Sequence, residues 1–208
     1  GQPRSVIYLA PEATPTATFA AEELRDHLQR VSGADVPIVN ALPADPSTPV
    51  VLVGPSEAAS ARGVTAAGLA SEGYRIKSGD KWLVLLGDDT EGAPQFSASW
   101  WQTDPVRYGT VTAVYRFLEE LCGVRWFMPG ELGTVVPAMR TVRVPQIDRR
   151  GAPAFEDRRP QFRGSLGNRP APEWEGEMSN WMVRVGFGRT IIGHFNHTFH
   201  YLTKNQAL

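Results

Sequence analysis

Tyr74-Arg75-Ile76-Lys77-Ser78-Gly79-Asp80-Lys81-Trp82-Leu83-Val84-Leu85-Leu86 is the stretch on which the fold class turns. Two β-rich runs, residues 74–77 and 82–86, flank the short turn sequence Ser78-Gly79-Asp80, so the pair reads as a hairpin and places an antiparallel element in the sheet. Working upstream, residues 5–10 are a β-type run, and Thr14-Pro15 then supplies a cap followed by proline at the first helical position. Ala17, Ala20, Ala21, Leu24, Leu28 and Val31 recur at helical spacing, with Glu22, Glu23, Arg25, Asp26 and Arg30 as the expected wet face and Gly33 as the stop. Residues 36–39 and 49–54 read as short strands separated by a Pro- and Ala-rich loop over 41–48. The second of these is wholly apolar and therefore belongs in the middle of the sheet.

Downstream of the hairpin, residues 92–107 carry no periodicity and contain Trp100-Trp101. Val111, Val114, Tyr115, Leu118, Leu121 and Cys122 then mark a second amphipathic helix, closed by Gly123. Residues 124–127, 134–136 and 141–144 add short strands, after which Arg149-Arg150-Gly151-Ala152-Pro153 breaks the pattern as a linker does. The expected division is an accessory α/β domain over 1–150 and a second unit over 151–208. In that second unit, residues 162–166 read as a strand, Trp174, Met178, Trp181, Met182 and Val185 fall at helical spacing, and residues 190–195 read as another strand. A β-α-β order of this kind suits the start of a (β/α)8 barrel. A closed barrel takes roughly 250 residues, so the segment is expected to be incomplete.

With 208 residues, 42% hydrophobic and 21% charged, the chain has enough apolar material for one good core and part of a second. Lysine and arginine total 21 against 22 acidic residues, a formal charge of -1, so there is no broad basic field for nucleic acid. No apolar run approaches the roughly 20 residues that span a bilayer. Cys122 is the single cysteine, which excludes an internal disulfide and leaves the compartment open. Its neighbours Leu118, Leu121 and Val124 suggest packing more than thiol chemistry. Gly1-Gln2-Pro3-Arg4 leads directly into a strand pattern, as expected of a processed chain.

Three stretches carry a family resemblance. They are Ala20-Ala21-Glu22-Glu23-Leu24 with Val31-Ser32-Gly33-Ala34-Asp35-Val36-Pro37-Ile38; Glu72-Gly73-Tyr74-Arg75-Ile76; and Tyr108-Gly109 followed by Leu118-Glu119-Glu120-Leu121-Cys122-Gly123-Val124-Arg125-Trp126-Phe127-Met128-Pro129. Over residues 4–145 the chain resembles the N-terminal domain of bacterial alpha-glucuronidases, the related second domain of chitobiases and hexosaminidases, and uncharacterised bacterial proteins of the same layout. The resemblance implies an α+β fold: a mixed β-sheet with two helices packed on one face, zincin-like without the metal centre, followed by a truncated β-α-β start of a (β/α)8 barrel. It also implies a secreted or periplasmic bacterial protein, carbohydrate and the remainder of its own barrel as partners, and no cofactor. Catalysis would belong to a carboxylate pair on the barrel, beyond the reach of this chain, so no catalytic acid or base is assigned and the chain alone is expected to be inactive.

Several residues have the chemistry of a binding site. His194, His197 and His200 lie within seven residues, beside Asn196. Beyond the end of a barrel strand, His194, Asn196 and His197 would hydrogen-bond sugar hydroxyls. On a helix the three imidazoles would approach a metal, although the spacing and the intervening glutamate of a metalloprotease are missing. Packing of Phe195, Phe199 and Tyr201 is the plainer alternative. Arg163 offers a planar guanidinium for a carboxylated sugar, or a partner for Glu156 or Asp157. Trp100 and Trp101 present rings on which a sugar stacks, or which pack under their own loop. Glu173, Glu175 and Glu177 flank a helix start, where acidic residues favour the helix dipole. Two other functions stay open: a carbohydrate-binding module without catalysis, and a metal-dependent hydrolase built on the histidine cluster.

Overall fold

In a computed structural model the chain forms a mixed α+β structure, and the structure describes residues 2–90, 107–155, 158 and 172–187, for 172–176 the backbone only. The order of elements is β1 (Val6–Leu9), α1 (Pro15–Ser32), β2 (Ile38–Val39), β3 (Val50–Val53), α2 (Glu57–Ser60), β4 (Tyr74–Gly79), β5 (Trp82–Gly87), α3 (Gly109–Leu121), β6 (Arg125–Trp126), β7 (Thr134–Val135), β8 (Asp148–Gly151) and α4 (Pro172–Arg184). Six strands make one sheet in the order β2-β1-β3-β5-β4-β8, while β6 and β7 form a separate antiparallel ribbon. The strands β2, β1, β3 and β5 run parallel. The hairpin partner β4 opposes β5, with Ile76 against Leu85 and Ser78 against Leu83, and β8 closes the edge antiparallel to β4.

Period-two alternation explains why both faces are covered. Ile7, Leu9, Val53, Ile76, Leu83 and Leu85 point to the face on which α1 and α3 lie, and pack with Leu24, Val31, Val111, Val114 and Leu118. The intervening Val50, Leu52, Val84 and Leu86 pack on the other face with Ala59 and Val64, beneath the short helix α2. Each fully buried Leu or Val contributes roughly 1.5–3 kcal/mol. Helix α1 starts and stops where its sequence directs. The Thr14 hydroxyl accepts from the Ala17 N–H at 3.2 Å, and Gly33 adopts a left-handed φ of 70° with its N–H on the Gln29 carbonyl. Helix α3 enters through a backbone contact that tolerates no side chain. A Cβ added to Gly87 would lie 2.1 Å from the Gly109 carbonyl carbon.

Four expectations require correction. Residues 141–144 are not a strand and run as an irregular strap. The stretch Arg149-Arg150-Gly151, read as linker, is most of the edge strand β8, held because Arg75 on β4 forms a bidentate pair with Asp148, both bonds 3.0 Å. The strands expected over 124–127 and 134–136 contribute only β6 and β7, outside the main sheet. Glu23, assigned to the wet face, is largely covered. The helix expected around Trp174 to Val185 is present as α4, while residues 162–166 and 190–195 lie outside the described residues. No described helix is long and apolar enough to cross a membrane.

Candidate functional site at the helical junction

The chemically richest cluster among the described residues lies where α4 meets α1, α3 and β6. From α1, Glu23 and His27 stand one turn apart on the flank facing α3. Glu23 accepts from the Tyr115 hydroxyl at 2.9 Å and from Arg184, whose Nη2 lies 3.1 Å and 3.0 Å from the two carboxylate oxygens and whose Nε lies 3.2 Å from Oε2. His27 donates from Nδ1 to the Glu23 carbonyl at 2.8 Å, which assigns the proton to Nδ1 because a carbonyl only accepts. The Trp126 ring meets His27 and Tyr115 edge-on, at centroid separations of 5.4 Å and 5.3 Å. The Arg184 guanidinium carbon lies 6.0 Å from the Trp126 ring centre, and the Trp181 indole N–H donates to the Trp126 carbonyl at 3.0 Å.

Burial sets the charges. It lowers the pKa of His27 below 6.5, against the pull of the Glu23 carboxylate, so the imidazole is neutral near pH 7. It raises that of Tyr115 well above the phenol range, an effect the Glu23 charge reinforces. Burial also works against the charge on Arg184, but Glu23 outweighs it and the guanidinium holds its proton more tightly than usual. A carboxylate, an imidazole, a phenol and a guanidinium are the ingredients of acid–base chemistry. Here, however, Glu23 is taken up by Tyr115 and Arg184, with its side chain 14% exposed. The arrangement is a latch: one bidentate ion pair and one indole hydrogen bond fasten α4 to the sheet unit.

A second pair braces the same C-terminal end of α4. Arg158 reaches Glu72 with Nη2 at 2.9 Å and 2.8 Å from the two oxygens, and its Nε donates to the Gly186 carbonyl at 3.0 Å, just past α4. The Glu72 side chain is only 4% exposed, and its backbone sits at a φ of 55°, a left-handed conformation that a non-glycine residue adopts at a cost.

A solved structure similar to this chain is a family GH115 4-O-methyl-alpha-glucuronidase with specificity for decorated arabinogalactans. The identity is 17% and the TM-score 0.48, and the match covers 74% of this chain and 18% of that one, so the chain spans less than a fifth of that enzyme's length. No family model and no curated protein matches.

A third polar group lies at the C-terminal end of β5. Thr90 and Arg107 bond to each other, Thr90 N–H to the Arg107 carbonyl at 3.3 Å and Arg107 N–H to the Thr90 hydroxyl at 3.4 Å, beside a bridge between Asp89 and Tyr108. These bonds hold positions 90 and 107 side by side as a narrow neck. Asp89 caps α3, accepting from the Thr110 N–H at 2.8 Å and its hydroxyl at 2.5 Å. Burial nevertheless pushes its pKa up to about 6. Asp88 pairs with Arg107 at 2.7 Å, which leaves the Asp-rich turn occupied by its own neighbours.

Arg163, Trp100, Trp101, His194, Asn196, His197 and His200 all lie outside the described residues, as do Glu156 and Asp157. Of the glutamates at the α4 start, Glu177 lies exposed beside Gly130. Cys122 is fully buried, and burial pushes its thiol up to about 12, consistent with packing. The junction residues Glu23, His27, Glu72, Arg158 and Arg184 were not singled out from sequence. The only local signal is Glu23 and His27 at a four-residue spacing, with His27 flanked by Leu24, Leu28 and Val31. Arg184 lies 161 positions from Glu23 and offers no local signal at all.

Proposed function

We propose that the chain is the non-catalytic front part of a glycoside hydrolase acting on polysaccharide or uronic-acid-containing glycans, in which residues 1–150 form a zincin-like support lacking a metal centre and residues 151–208 begin a (β/α)8 barrel. One observation carries this reading: two arginines placed after the division, Arg158 and Arg184, are each held bidentately by a covered glutamate of the first unit, Glu72 and Glu23. A support has to grip the unit it carries, and a geometrically fixed acid–guanidinium pair does this with a defined orientation. The glycan class rests on the three motif stretches. In this reading Arg163, His194, Asn196 and His197 stand at barrel strand ends and hold sugar together with Trp100 and Trp101, and the compartment is secreted or periplasmic.

The test compares the product of the parent reading frame with residues 1–208 alone, each assayed on uronic-acid-containing and neutral glycans with and without chelator. Turnover by the parent product and none by residues 1–208 is the expected result. Chelator-sensitive turnover by residues 1–208 would overturn the proposal in favour of a metal hydrolase on the histidine cluster. Glycan binding without turnover by either would establish a binding module instead.

A further inference from the structure

At the end of the sheet opposite the neck, the layer of α1 and α3 parts from the strands and leaves a cleft of about 580 Å³, crossed by the strap at 140–144. Its size falls within the roughly 300–1,000 Å³ of small-molecule sites. Leu83 on the sheet side and Phe117 on the helix side line it with the half-buried Val142 of the strap, alongside the polar Ser32 and Ser78, while Trp82 at the base of the hairpin belongs to the opposite face of the sheet. The mouth is basic. Arg4 comes from the segment before β1, Lys81 from the hairpin turn and Arg140 from the strap, and no carboxylate lines the cleft. Lys81 is held in place by its own backbone, which is left-handed at a φ of 58° and accepts from the Val50 N–H at 2.9 Å.

Many cations elsewhere on the described surface are matched to acids, Arg30 to Glu131, Arg75 and Lys77 to Asp148, Arg107 to Asp88, Arg116 to Glu119 and Arg149 to Glu120, whereas Arg62 and Arg125 bond backbone carbonyls and Arg143 and Arg150 make no ion pair among the described residues. Arg4, Lys81 and Arg140 make no ion pair among the described residues. Three cations from three separate segments thus line one cleft without a carboxylate in a chain of net charge -1, a local inversion of its overall balance. We infer that this cleft binds a small amphipathic anion, its carboxylate or sulfonate held by Arg4 and Arg140 and its apolar body lying along Leu83, Phe117 and Val142. A forked guanidinium suits the bidentate anion, and the apolar walls suit a ring. The site is separate from the junction and does not depend on the glycan reading.

The probe is anilinonaphthalene sulfonate, titrated by fluorescence, with uncharged phenylnaphthylamine as the comparator. Saturable binding at one site is expected. The pair Arg4→Gln and Arg140→Gln should weaken sulfonate binding on the order of tenfold, because two exposed charge contacts together contribute about one decade, while leaving the uncharged comparator unchanged. Thr141→Trp, which fills the mouth, should abolish binding of both. An equal charge removal on the distant edge strand, Arg149→Gln with Arg150→Gln, should leave affinity as in the parent, and near-ultraviolet circular dichroism checks that each variant is folded. The inference is overturned if sulfonate binding does not saturate, if the cleft pair binds as the parent does, or if the edge-strand pair weakens binding equally.

Discussion

Replacing Arg184 by methionine keeps the stem that lies near Trp126 and removes the guanidinium that holds Glu23. Glu23 then keeps one charged-acceptor contact, from Tyr115, and loses its neutralising partner while remaining largely covered. Breaking a fully buried ion pair costs about 3–5 kcal/mol. Side-chain exposures of 20% for Arg184 and 14% for Glu23 dilute that figure, and the surviving tyrosine bond reduces it further, so about 2 kcal/mol is expected. The cost should be confined to the attachment of α4, because the sheet core and α1 do not depend on the arginine. The assay is amide hydrogen exchange, in which protection over 177–187 should fall about thirtyfold, the equivalent of 2 kcal/mol. A double-mutant cycle with Glu23→Gln should return a coupling of about 2 kcal/mol, since the double variant leaves no stranded charge. Unchanged protection over 177–187, or a coupling below about 0.5 kcal/mol, would refute the latch.

The same geometry sets three other outcomes. The folded-state pKa of His27 lies below its unfolded value of 6.5, so the stability it supports is present above 6.5 and is lost as the pH falls through the folded value; His27→Gln should flatten that part of the urea-denaturation profile. Asp89 has the opposite sign. With a folded pKa of about 6 against 3.8 its contribution is full below 3.8 and disappears as the pH rises through 6, so Asp89→Asn should gain about 3 kcal/mol relative to the parent on going from acid to neutral pH, measured by thermal melts. Gly87→Ala drives a methyl into the Gly109 backbone and should cost about 3 kcal/mol or prevent folding, whereas Gly63→Ala, with open space around it and only a positive φ of 68°, should cost about 1 kcal/mol; urea denaturation of the two variants checks the difference.

The legible part of the chain is the part that local chemistry dictates. Thr14-Pro15 and Gly33 bracket α1 because capping depends on neighbours three or four residues away, and the all-apolar 50–53 run sits mid-sheet because only a strand covered on both faces needs every side chain apolar. The 74–86 hairpin is legible as two β-rich runs around a short turn. The strap at 141–144 misled because its alternating Val142 and Val144 mimic a strand, whereas the sheet edge that would receive it is taken by β8. β8 in turn was hidden because Asp148-Arg149-Arg150-Gly151 has a linker's polarity; its place depends on Arg75, which lies 73 positions away. The junction stayed hidden for the same reason. A glutamate on a helix face reads as wet until the arginine that covers it is known, and nothing near Glu23 or Glu72 announces Arg184 or Arg158.

The crossing of Thr90 and Arg107 has an engineering consequence. Because the Thr90 N–H bonds the Arg107 carbonyl, the two positions are held side by side, and lengthening the chain between them adds closure entropy of only about 0.6 kcal/mol for each doubling of length. The position is therefore a natural port for an epitope, a fluorophore-bearing peptide or a second small domain with adjacent termini.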